Sequence, residues 1–211
     1  MSSIITGTVM VLGPFAVPVL LLFLFYRLNI PGNISPVQIV GIFVIGGFGA
    51  ALIAMKLNEL LFIEGSLYTL AINASVKEEV VKALVIAFII KQMKNCRHIL
   101  NGLLIGATVG AGFSILESII YAYRSYMWFG GFETTLDTII RRNVLAPGNH
   151  IAWASVTGAI IILVLYKSKK IYVLLFPLCI IMHALWNMTA HSVLHALLTF
   201  TVWLIILILI D

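Results

Sequence analysis

The chain is a series of apolar runs of membrane-spanning length, separated by short polar or Gly/Pro-containing links. A bilayer core about 30 Å thick needs roughly 20 apolar residues in a helix. On that measure the pattern predicts seven helices, Thr6–Tyr26, Pro36–Met55, Ser66–Ile90, His98–Tyr123, Asn149–Tyr166, Ile171–Ala190 and Ser192–Ile210. The last two are joined so tightly that either a hairpin or one bent element fits them. The third breaks the pattern, because Lys77, Glu78, Glu79 and Lys82 sit inside it. Neither of its apolar flanks, Leu67–Val76 or Val80–Ile90, is long enough to span alone. Each such charge costs about 2.5–3.5 kcal/mol near the centre of a spanning helix on insertion scales, so the chain keeps them for a use.

Composition agrees with this pattern. Of 211 residues, 62% are hydrophobic and 10% charged, against about 25% charged in soluble domains. The expected fold is all-α, a polytopic bundle of about seven transmembrane helices forming one domain over 1–211. No soluble mass is left for a separate catalytic module, so any chemistry belongs inside the bundle. The formal charge of +5 is spread over short clusters between apolar runs, which suits orientation in a membrane and not nucleic-acid binding. Cys96 and Cys179 stand in different settings and make neither a disulfide framework nor a zinc ribbon. The first apolar run has no Lys or Arg before it and is too long for a cleaved signal core. It reads as a retained span.

With seven spans, one side of the membrane receives Arg27, Lys91, Lys94, Arg97, Lys167, Lys169 and Lys170. The other receives Lys56, Arg124, Arg141 and Arg142. Positive residues accumulate in the cytoplasm, so the N-terminus is expected outside the cell membrane and the C-terminus inside. The stretch Arg124–Gly148 is then extracytoplasmic. Tyr121, Tyr123, Tyr126, Trp128 and Phe129 at its start suit an interfacial aromatic belt. Further on, Leu136, Ile139, Ile140, Asn143 and Val144 keep helical spacing, with Glu133, Asp137 and Arg141 on another face. That pattern predicts a short helix lying in the interface.

Several polar groups fall where lipid is expected. Glu78 and Lys82 are four residues apart and Glu79 and Lys82 three, so both carboxylates lie near the ammonium on one turn. Adjacent buried carboxylates resist joint ionisation, the kind of tuning a general base requires. The fourth span carries Gly102, Gly106 and Gly110, a close-packing ridge, with Glu117 on nearly the same side. His150 opens the fifth span, and His183 and Asn187 share a face of the sixth. A hydrogen-bonded packing pair is the plain alternative for His183 and Asn187, and an interfacial position for His150, His191 and His195. Counting helical rise from the predicted ends puts Glu78, Glu79, Glu117, His150 and His183 in the outer half of the membrane. Such groups can activate water and stabilise an oxyanion, or hold a divalent metal.

The ordered set Glu78-Glu79-x-x-Lys82, Gly112-Phe113-x-x-x-Glu117, Arg142…Pro147-x-x-His150 and His183-x-x-x-Asn187 resembles the PrsW family of intramembrane proteases. It is similar, more distantly, to the CAAX-prenyl-protease and bacteriocin-processing superfamily. The match covers roughly residues 70–190, within a motif-bearing core of about 66–190. The resemblance implies a multi-pass protease making the first, extracytoplasmic cut in a single-span partner such as an anti-sigma factor. It implies catalytic roles for Glu78, Glu79, Glu117, His150 and His183, with Lys82 and Asn187 supporting. Ser118 stands where the family commonly has Asn, and Asn187 where it commonly has Asp. An amide in the Asp position suits an oxyanion donor better than a metal ligand, so metal-free, glutamate-dependent hydrolysis is expected. If a metal is used, zinc on Glu79, His150 and His183 is the expected set. An ion- or proton-coupled transporter and a non-catalytic scaffold or immunity-type relative are the alternatives; no inverted repeat supports the transporter.

Overall fold

The computed structural model describes residues 3–143, 148–189 and 191–210. The chain runs through α1 (Ser3–Leu12) and α2 (Ala16–Leu28), joined by a 3₁₀ turn, Gly13–Phe15. Next come α3 (Pro36–Gly41), a π-helical stretch Ile42–Phe48, and α4 (Gly49–Leu60). Then follow α5 (Leu67–Gln92), α6 (Ile99–Phe129), α7 (Phe132–Asn143) and α8 (Asn149–Tyr166). A 3₁₀ turn, Lys170–Leu174, leads into α9 (Leu175–Met188), and α10 (Ser192–Ile210) closes the bundle. Among the described residues there is no strand.

Local chemistry explains the helix starts. Ser35 and Gln38 form a reciprocal capping box ahead of Pro36, and the Ser66 side chain accepts from the Thr69 amide to open α5. Asn101 accepts from the His98 amide at the start of α6, and its amide donates to Asn29 (3.0 Å) and Asn33 (2.6 Å). That buried trio ties the α2–α3 link to α6.

Six helical segments are long and apolar enough to cross a membrane among the described residues, namely Ile4–Leu28, Pro36–Leu60, Ile99–Phe129, Asn149–Tyr166, Lys170–Met188 and Val193–Ile210. The seventh expected helix, α5, has 26 residues, about 39 Å at 1.5 Å per residue. Its charges alone keep it out of that count, and it packs against α4, α8 and α9 within the bundle. Over their most apolar windows α6 and α8 are 78% and 72% buried, the other four segments 22–33%. The architecture is therefore a central pair with a lipid-facing ring.

Glycine makes that pair possible. Gly102, Gly106 and Gly110 lie against the carbonyls of Gly158, Ala154 and His150, where any Cβ would collide with α8 backbone. The paired numbers run in opposite directions, so α6 and α8 are antiparallel. On the other side of α6, Gly112 meets Gly47 of the π-helical stretch equally closely.

Two elements take a definite form. The last two spans are separate helices, since α9 stops at Met188 and α10 starts at Ser192. Across the break the His195 ring stacks on Trp186 at 3.6 Å, and its Nε2 lies 2.8 Å from the Thr189 carbonyl. The helix expected to lie in the interface runs back along the last turns of α6. Ser125 Oγ donates to the Thr134 carbonyl, and Ile139 packs with Ala122 and Met10. Ile139 of its apolar stripe is buried while Ile140 stays exposed, and Arg141 and Asp137 pair on the outside. Val144 and Pro147 fall outside the described residues.

Candidate active site

Four helices and the end of α7 bring the site together. Glu78, Glu79 and Lys82 come from α5, Glu117 from α6, His150 from the first turn of α8 and His183 from α9. Glu79, Lys82 and His183 are almost fully buried, and Glu78 retains 9% exposure. Lys77, grouped with them in the sequence, turns away and donates to the Leu61 carbonyl at 2.6 Å. One turn of α5 therefore places three of its four charges inside, and sends the fourth to a helix end.

Each imidazole has a carboxylate on one nitrogen. His183 Nδ1 lies 2.7 Å from Glu79 Oε1, and His150 Nε2 lies 3.0 Å from Glu117 Oε2. An ionised carboxylate only accepts, so those two ring nitrogens carry the protons. On its other side His150 Nδ1 is 3.2 Å from Lys82 Nζ, which only donates. His150 is thereby fixed as the neutral tautomer with its Nδ1 lone pair facing Lys82. His183 Nε2, likewise bare, lies 3.6 Å from Glu78 Oε2, too far for a hydrogen bond.

Aromatic rings set the imidazole planes. Phe113 stacks on His150 with centroids 5.4 Å apart, and Trp153 stacks on His183 at 4.5 Å. The two imidazoles meet edge to face at 4.9 Å. Lys82 Nζ lies 4.7 Å from the centre of the Phe113 ring and 2.5 Å from Glu79 Oε1. From α7, Arg142 Nη2 donates to Glu117 Oε2 at 2.6 Å and its Nε to Ser118 Oγ at 3.2 Å. Ser118, the departure noted in the sequence, thus receives the arginine. Tyr121 covers the same guanidinium at 4.2 Å.

Glu78, Glu79, Lys82, Glu117, His150 and His183 are one connected cluster. Asn187 is not part of it. Its amide donates to Ser75 Oγ at 3.1 Å, one helical turn of α5 from Glu78 and Glu79, and so ties α9 to α5. Trp153 is the member whose role the sequence hides. Trp153 follows His150 by three residues, hence on its face of α8. Arg142, already in the motif set, reaches Glu117 because α7 folds back along α6.

Among the described residues, one group could hold a metal ion. Glu78, His150 and His183 each offer a ligand atom, and these atoms lie within 4.8 Å of one another. The expected set named Glu79 in the place of Glu78. Glu79 is instead committed to Lys82 and His183, while Glu78 Oε2 is buried with no hydrogen-bond partner.

A family model described as PrsW family intramembrane metalloprotease matches residues 35–210. The chain belongs to that family. The match takes in every helix from α3 to α10, more than the resemblance in the motifs covers. No curated protein and no solved structure matches the chain. Membership of the PrsW family makes this a multi-pass membrane protein and a peptidase of the intramembrane class. The family's description as metalloproteases also runs against the metal-free preference drawn from Asn187, and Asn187 lies outside the cluster.

Proposed function

We propose that the chain is an intramembrane metallopeptidase whose ion is held by Glu78, His150 and His183. The observation that carries this reading is the pair of carboxylate-backed imidazoles. Metal-ligating histidines commonly donate their far nitrogen to a carboxylate, which fixes the tautomer and strengthens the ligand. His183 has Glu79 in that place and a bare Nε2. His150 has Glu117 there and would offer its Nδ1 to an ion once Lys82, which now donates to it, is held by Glu79 alone. The orphaned Glu78 Oε2 supplies a third donor, and two histidines with one glutamate is a ligand set that leaves zinc an open position. Charge supports a cation as well. Glu78, Glu79 and Glu117 oppose Lys82 and Arg142, which leaves one formal negative charge uncompensated.

A bound divalent ion would polarise a peptide carbonyl and make water more acidic. The chain's own residues do the rest. Glu79 holds His183 and Lys82 through Oε1, while its buried Oε2 has no partner, so it is the carboxylate free to take a proton. Lys82 neutralises Glu79 and lies ready to face a developing oxyanion. Phe113 and Trp153 wall off lipid and hold both rings in place. Arg142 keeps Glu117 aimed at His150.

The proposed substrate is a single-span membrane protein such as an anti-sigma factor, cut on its extracytoplasmic side. Two features support this. Seven basic residues gather at the opposite end of the bundle, the end expected in the cytoplasm. The cluster lies toward the end at which α8 begins, with His150 in its first turn, Glu117 eighteen residues into the 31-residue α6 and His183 five residues before the end of α9. Co-expression of the full chain with tagged single-span candidates, beside Glu78→Gln and His183→Ala, tests the reading. Cleavage by wild type and by neither variant is expected; equal cleavage by all three removes the site from consideration.

A further inference from the structure

Away from the polar cluster, a groove of about 370 Å³ opens between α5, α8, the Lys170–Leu174 turn and α9. Val80 marks one end and Lys91 the other, eleven residues apart on α5 and so about 16 Å. Ala87, Leu165 and Val173 line it, and Thr157 is its one other polar side chain. The Thr157 hydroxyl already donates to the Trp153 carbonyl at 3.0 Å. The groove is thus an apolar slot with a single cation at its mouth.

Size and charge indicate the occupant. A helix with side chains is about 10–12 Å across and would fill well over 1,000 Å³ along 16 Å, so the slot would take in only a strip of one. A hydrocarbon tail is slim enough. The link between two of the groove's walls, α8 and the 3₁₀ turn, carries Lys167, Lys169 and Lys170, all exposed, as is Lys91. No described carboxylate pairs with these four lysines. Every described Asp and Glu lies in the site or toward the opposite end of the bundle. We infer that this groove binds an anionic phospholipid, one acyl chain lying along α5 and α8 and the phosphate on Lys91 and its neighbours. Basic pockets between spanning helices bind such headgroups.

Native mass spectrometry of the full chain, mixed with equal amounts of phosphatidylglycerol and phosphatidylcholine of matched chains, tests this. Wild type is expected to retain phosphatidylglycerol about fivefold or more over phosphatidylcholine. Lys91→Gln, at an exposed position, should lower the preference about fivefold. Ala87→Trp, which fills the slot, should lower retention of both lipids. Equal retention of the two lipids by wild type overturns the inference, as does an unchanged preference in Lys91→Gln. Displacement of the lipid by a single-span peptide also overturns it, because the groove would then belong to a helix. None of these readouts involves proteolysis, so the result stands apart from the proposed activity.

Discussion

The two sides of α8 are held by opposite means. Toward α6, its backbone rests on Gly102, Gly106 and Gly110 with no polar side chain in between. At its N-terminal end, His150 and Trp153 enter a network in which each group orients the next. The seam has no chemistry of its own, yet it decides where the chemistry occurs, since Gly110 packs on the carbonyl of His150 itself. The cluster has the chemistry, and its geometry depends on hydrogen bonds, ion pairs and the stacking of Phe113 and Trp153 on the two imidazoles. Damage to the seam should therefore remove the fold, and damage to the cluster should spare the fold and remove the function.

The largest effect is expected from Gly106→Leu. Its side chain would be driven into the Ala154 backbone, and overpacking against backbone cannot be relieved by a rotamer change. Detergent extraction should give aggregate in place of a monodisperse peak. A variant that purifies and melts like wild type would break the comparison at its root.

Next comes the cluster. Glu78→Gln and His183→Ala should each lower peptide cleavage by at least about 100-fold, with the melting temperature within a few degrees of wild type. A large drop in stability with activity per folded molecule retained would make the cluster structural. Glu117→Gln is a gentler probe, because it reaches the site only through His150. An outer carboxylate of this kind is worth about 10–100-fold in metal affinity or rate, read by competition with a chelator. Arg142→Ala acts one step further out and should cost less than Glu117→Gln in the same assay. If it costs more, the arginine meets substrate directly.

Asn187→Ala should do least. It removes one neutral hydrogen bond to Ser75, about 1 kcal/mol of stability, and should leave cleavage per folded molecule nearly unchanged. Strong loss of activity would return Asn187 to the oxyanion role that its sequence position suggests.

The spans, the glycine ridge and the cluster's acids and histidines were legible because each imposes a local rule. Apolar length reports a span, four-residue glycine spacing reports a close approach, and a charge in lipid reports a partner. What the sequence hides is set by tertiary contacts between distant elements. Nothing local separates Glu78 from Glu79 as the third donor; that follows from which carboxylate Lys82 and His183 occupy. Lys77 looks like its neighbours until its helical phase turns it toward Leu61. The amphipathic pattern of α7 does not say that α6 is its partner; the contact of Ile139 with Ala122 and the Ser125–Thr134 bond do.

Metal content per chain is the most direct test of a shared ligand set on α5, α8 and α9. The full chain and Glu78→Gln would be purified side by side and assayed by inductively coupled plasma mass spectrometry. About one divalent ion of the zinc type per wild-type chain, lost in Glu78→Gln while the fold is kept, is the predicted result. Equal metal in both proteins, or full cleavage by a wild-type chain stripped of metal, would contradict it.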